Sequence, residues 1–182
     1  MSQRNANETR EDSDDPLETE TESPTDVASD LVGIFKDGVI GAVAGAAGTV
    51  MLSAVLFVAL NLGMFDSSAF NGLSVMVGIG ENAFVGYLIF FAGGMTTWPL
   101  LFVSLQEYLP GSTLALRGVT FATITWTGFL GAFYTGQSGL ALAGYVVFSL
   151  VAHWVYGFTL GSVFAYFIER VDTRIGGPSQ IS

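Results

Sequence analysis

The chain reads as an all-α polytopic membrane protein, a four-transmembrane-helix bundle with both termini cytoplasmic and a disordered acidic N-terminal tail. Three observations predict this. Four apolar runs, at 38–62, 83–106, 114–134 and 140–167, are each long enough, at about 1.5 Å per residue, to cross a roughly 30 Å hydrocarbon layer. Hydrophobic residues make up 51% of the 182 positions and charged ones only 12%, too little polar surface for a soluble domain built on four such runs. The basic residues Arg4, Arg10, Lys36, Arg117, Arg170 and Arg174 all flank the same side of the runs, which the basic-loop bias makes the cytoplasmic side.

Taken in order, residues 1–28 form the tail. Ten of the first thirty residues are acidic and two are arginine, a composition that cannot bury enough apolar surface to offset its ordering entropy. The same stretch lacks the basic-then-apolar order of a cleavable signal peptide, so none is expected. Residues 29–170 are the membrane domain. Leu31, Val32, Ile34 and Phe35 suit an amphipathic lead-in along the inner interface, or a simple extension of the first helix. The connection 63–82 carries Phe70, Leu73, Val75 and Met76 among glycines and serines. It is too short to cross and is expected to cover the outer end as an interfacial half-helix. At Pro110, Gly111 and Ser112 one helix stops and the chain turns, with the serine offered as a cap for the next helix. A turn around Gln137 and Ser138 is equally short, so the last three spans should be antiparallel neighbours. Residues 171–182 make a short cytoplasmic tail.

The acid excess, 16 Asp and Glu against 6 basic residues with no cysteine, suggests a proteome adapted to high salt. The absence of cysteine also removes disulfides, thiolate metal sites and cysteine nucleophiles from consideration.

Helices in lipid associate where small residues let backbones approach. Gly41 and Gly45 on the first span, and Gly157 and Gly161 on the last, recur at helical spacing and are expected to be packing faces, within the bundle or between copies. Centring each span brings Thr49, Thr97, Trp98, Thr123, Trp126, Thr127 and His153 to one depth. Tryptophan ordinarily favours the interfacial belts, so indoles near the midplane imply hydrogen-bond partners inside the bundle, and the helices are expected to share a polar seam. Pro99 lacks an N–H and displaces the carbonyl of Met95, leaving a kink with an acceptor in need of a partner: a threonine hydroxyl, an indole N–H or a water. His153 is the one ionisable group at that depth, where charge is costly, so a neutral imidazole is expected. It would bond within the seam, pass a proton, or touch a metal, haem or quinone. Bis-histidine haem ligation within one chain is impossible because there is one histidine; a dimer, or Met51 or Met95, would have to supply the second ligand. No cofactor is expected.

The glycine-rich opening GAVAGAAGTVML, the WPLLF and LPGS around the second turn, and the closing AHWVYGFTLGSVFAYF together resemble a family of small four-helix membrane proteins of unknown function, abundant in haloarchaea. The resemblance covers most of 38–167. It implies the topology and brings no activity, cofactor or catalytic residue.

With no catalytic constellation, an enzyme is not expected. The function ranked first is an accessory or scaffolding subunit packed in a larger membrane complex, its partners the lipid bilayer and either another membrane protein or further copies of itself, without nucleic acid. The alternative is a small transporter or channel using the threonine and histidine seam. A redox or lipid-modifying membrane enzyme ranks last.

Overall fold

A computed structural model describes the backbone over residues 24–175 and side chains over 38–170; the acidic tail up to residue 23 and residues 176–182 lie outside the described residues. Among these the fold is helical throughout. Helix α1 spans Pro24–Asn61, a 3-10 turn Ser67–Phe70, α2 Asn71–Met76, α3 Ala83–Met95, α4 Thr97–Leu105, α5 Leu114–Ala132 and α6 Gly139–Ile175.

Helix α1 is already helical at Pro24, inside the stretch 1–28 assigned to the tail, and the expected lead-in is simply its continuation. It ends where Gly63 takes a left-handed φ of 69°, so that Met64 N–H reaches the carbonyl of Ala59 at 2.9 Å and satisfies an orphan acceptor of the last turn. The connection that follows folds back over the bundle end. Asp66 caps the 3-10 turn by accepting from Ser68 N–H at 2.8 Å, which holds its carboxyl below the usual carboxylate value. Phe70, buried at the end of that turn, stacks edge-on against Tyr87 and Phe133 and lies 5.3 Å from the Phe90 ring. Ser74 then ties the loop, donating to the carbonyls of Asn71 and Gly80 and accepting from Asn82 N–H. Asn82 in turn caps α3 by accepting from Val85 N–H.

Three segments are long and apolar enough to cross a membrane: Gly38–Asn61, Ala83–Leu105 and Gly139–Arg170. The expected fourth, α5, is 19 residues long and carries four threonines and Arg117; it does not meet the same measure of length and hydropathy. Its cap is Thr113, accepting from Leu116 N–H at 3.3 Å, and not the expected Ser112. Arg117 donates back to the carbonyl of Gly111, and Arg170 lies 4.3 Å over the Tyr166 ring. Phe102, Phe121 and Phe164 pack together, bringing the end of α4, the start of α5 and the far part of α6 to one end of the bundle. Asp66, Glu81 and the Phe65, Phe70 and Phe133 cluster occupy the other.

The long helices α1 and α6 pack along each other, α3 and α4 lie against α1, and α5 lies against α6. The α5–α6 interface is sealed by glycine. A Cβ on Gly118 would strike the carbonyl of Gly157, one on Gly157 would strike that of Gly118, and one on Gly161 would strike that of Leu114. On the other side, a Cβ on Gly45 would meet Pro99 and, at 2.6 Å, the carbonyl of Gly94, while Gly41 faces the Pro99 ring at 3.6 Å. The carbonyl contacts among these are backbone against backbone, the close approach that small residues permit between helices in a membrane.

Candidate functional site

The apolar segment Ala83–Leu105 is broken. Helix α3 stops at Met95, Thr96 sits at φ −117° and ψ −63°, and α4 starts at Thr97, because Pro99 has no N–H to donate. The freed acceptor that finds a side-chain partner is the carbonyl of Gly94, one residue from the predicted Met95. Its donor is the Tyr156 hydroxyl of α6, at 2.9 Å, and not a threonine or an indole. Tyr156 also fills the space beside Gly48, where a Cβ would meet its ring at 2.9 Å.

Next to this break lies a cavity of about 640 Å³, within the roughly 300–1,000 Å³ of small-molecule sites. Thr49 and Leu52 of α1 and His153 and Tyr156 of α6 contribute to its lining, as do Gly93, Thr97 and Trp98 around the break and Thr125, Gly128 and Phe129 of α5. It lies where α3 and α4 diverge from α5. A Cβ added to Gly93 or Gly128 would meet nothing within 4 Å, so the same residue type that seals the α5–α6 interface here leaves a wall thin. Residues near the middle of the three long apolar segments line it, so its level is mid-membrane if those segments cross.

Of the residues expected at one depth, Thr49, Thr97, Trp98 and His153 line this cavity, whereas Thr123, Trp126 and Thr127 do not. Thr127 is exposed and donates to the carbonyl of Ile124. Thr123 donates to the carbonyl of Val119 and accepts from the Trp154 indole. Trp126 donates to Ser149 Oγ at 3.0 Å. Trp98 is 39% exposed, with its ring edge-on to Phe121.

The expected threonine seam is replaced by a different arrangement. Thr49, Thr123, Thr125 and Thr127 each donate to a carbonyl three or four residues back on their own helix, the back-bonding open to any helical threonine. Bonds between helices are made by aromatic donors instead: Tyr87 to Ser53, Trp126 to Ser149, Tyr145 to the carbonyl of Leu130, Trp154 to Thr123 and Tyr156 to Gly94. Long rings reach a neighbouring helix; a threonine hydroxyl, two atoms from its own backbone, reaches home first. Ser149, which carries no signal of its own in the sequence, joins Trp126 to the turn that holds His153.

His153 is 6% exposed. Its Nδ1 lies 2.8 Å from the carbonyl of Ser149, and its ring meets Phe129 edge-on at 4.7 Å. A carbonyl only accepts, so Nδ1 carries the proton, and in the neutral ring Nε2 keeps a lone pair. That nitrogen has no partner among the described residues, and the ring forms part of the cavity wall. Neither Met51 nor Met95 lines the cavity, and Met51 is exposed, so the suggested axial ligands do not gather around His153. Among the described residues no three His, Asp or Glu side chains cluster at metal-binding distances.

A model for a family of unknown function, DUF6789, matches residues 35–175. The chain belongs to that family. The match spans α1 beyond its first turns through the end of α6, and thus every cavity residue named above. No curated protein and no solved structure matches the chain. Membership of DUF6789 carries no activity, so the reading of the cavity rests on its own geometry.

Proposed function

We propose that the chain is a four-span membrane protein, both termini cytoplasmic, that holds a small, largely apolar molecule in the cavity between the broken α3–α4 segment and α5. In this reading α5 is the fourth span. Its length of 19 residues gives about 28 Å of helix, the hydroxyls of Thr123, Thr125 and Thr127 donate within the helix while that of Thr120 reaches the carbonyls of Leu116 and Pro110, and Arg117 near its start sits at the bundle end shared with Arg170, as the basic-loop bias requires of a cytoplasmic face. The observation that carries the binding function is the cavity of about 640 Å³, apolar and aromatic in most of its wall, with few converging polar groups.

The test uses Trp98 as reporter in a Trp126→Phe, Trp154→Phe background, with 1-bromodecane as a heavy-atom quencher in lipid nanodiscs. Saturable quenching that disappears when Gly93→Leu and Gly128→Leu fill the space supports the reading. Quenching that rises linearly in both proteins reports only dissolved bromodecane and overturns it.

An accessory role in a larger complex ranks second. Gly41, Gly45, Gly157 and Gly161 each face a neighbouring helix of the same chain, the within-bundle form of the expected packing faces, which leaves docking to outward residues such as Val43, Val50 and Phe57. Copurification of a stable larger partner in mild detergent is the outcome that favours it.

A further inference from the structure

The inner wall of the cavity has a chemical sign. Each side-chain donor there is already committed within the chain: Thr49 Oγ1 to the carbonyl of Gly45 at 2.7 Å, Thr125 Oγ1 to that of Ala122, Tyr156 Oη to that of Gly94, and His153 Nδ1 to that of Ser149. What remains for a ligand is a set of lone pairs, on three hydroxyl oxygens and on Nε2 of His153. Nε2 is the strongest acceptor of these, and it belongs to a side chain more than nine-tenths buried with no other partner among the described residues.

An anionic head group is disfavoured by a wall of acceptors, and a purely apolar molecule would leave Nε2 unpaired. An alcohol or phenol satisfies it with one O–H. On the side of the break, Thr97 and the Trp98 indole make no hydrogen bond within the chain among the described residues, and both are exposed, so the entrance is amphipathic while the interior is not. The missing side chains of Gly93 and Gly128 leave room for an alkyl or ring body to pass between α3 and α5.

We infer that the cavity takes an amphiphile whose head is a single hydroxyl or phenol donor, presented to Nε2 of His153, with its apolar body lying between α3 and α5. This rests on the reading of the cavity as a binding site and adds the class of ligand. The tautomer fixed by Ser149 makes the histidine an acceptor toward the ligand; the site selects donors.

The chain's single histidine makes the test specific. The untagged full-length protein, labelled with 15N-histidine and held in lipid nanodiscs, is titrated with 4-nonylphenol and with its methyl ether, 4-nonylanisole. The phenol is expected to bind about five- to tenfold more tightly than the ether, the span of one net hydrogen bond, and to shift the Nε2 resonance while Nδ1 stays put. In His153→Phe both are expected to bind with equal affinity, which separates the lost hydrogen bond from any effect of the added methyl. Equal binding in the wild type, or an unmoved Nε2 signal during saturable binding, overturns the head-group assignment and leaves the cavity reading standing. Failure of both compounds to bind saturably, or binding unaffected by the Gly93→Leu and Gly128→Leu pair, overturns the cavity reading itself.

Discussion

Helix α5 has two sides, and glycine does opposite things on them. Toward α6, Gly118 meets Gly157 backbone to backbone, and an added Cβ on either would collide with a carbonyl that cannot move aside. On the other side a Cβ on Gly128 would meet nothing within 4 Å, and Gly128 lines the same cavity as Gly93 of α3. One side is closed because both helices lack side chains in register; the other is open because the two glycines do not meet. Glycine count alone therefore says nothing about tightness, and register decides whether the missing atoms become a contact or a cavity.

The comparison predicts a hierarchy of substitutions. Gly157→Leu must push α5 and α6 apart and is expected to cost about 3 kcal/mol or more, read as loss of the folded fraction in graded-SDS unfolding. Gly128→Leu, the same change on the open side, is expected to leave stability within about 1 kcal/mol of wild type, because a better helix former offsets any crowding. Equal losses for the two would erase the distinction between the sides.

Tyr156→Phe bears on the boundary between the two regions, because it removes the one side-chain donor to Gly94 at the break. The expected cost is about 1 kcal/mol, with faster hydrogen exchange at Thr96 and Thr97 than in α6; unchanged exchange would mean the break is held by Pro99 and Gly45 alone. Trp126→Phe, on the closed side, frees only Ser149 Oγ, which still donates to the carbonyl of Val146, so about 0.6 kcal/mol is expected by the same unfolding assay.

The smallest effect lies at the loop end. Asp66 has its carboxyl lowered from 3.8, first by the backbone N–H of Ser68. With the folded value below the unfolded one, its contribution is fully present above the ordinary carboxylate range and is lost as pH falls through the lowered value. A carboxyl 13C titration with its midpoint below 3.8 is expected, and one at or above it would remove the cap from the account of this loop.

Helix ends were legible from the apolar runs: α1 ends at Asn61 and α3 begins at Ala83, since a long apolar run bounded by glycine and asparagine signals writes its helix into the sequence. The break near Pro99 was legible too, because a missing N–H is a local fact. Which carbonyl would be rescued, and by what, was not. Tyr156 lies 62 residues away, and its reach depends on how α6 is rotated against α1. The threonine seam failed for the same reason in reverse: equal depth puts Thr123 and Thr127 at the right height, but rotation of α5 turns them from the cavity and presents Thr125 and Gly128 instead. His153 was legible as a singular residue, whereas its role as an acceptor needed the position of the Ser149 carbonyl.

The break at Thr96 also bears on how this segment enters a bilayer. Helices α3 and α4, with 13 and 9 residues, measure about 20 and 14 Å, and neither alone crosses a roughly 30 Å hydrocarbon layer. As a crossing segment they are two short rods joined end to end, whose joint exposes polar backbone unless Tyr156 arrives. Since α6 follows α4 and α5 in the chain, the joint is completed only after both of those helices have been made, and the order of assembly is built into the position of one phenol.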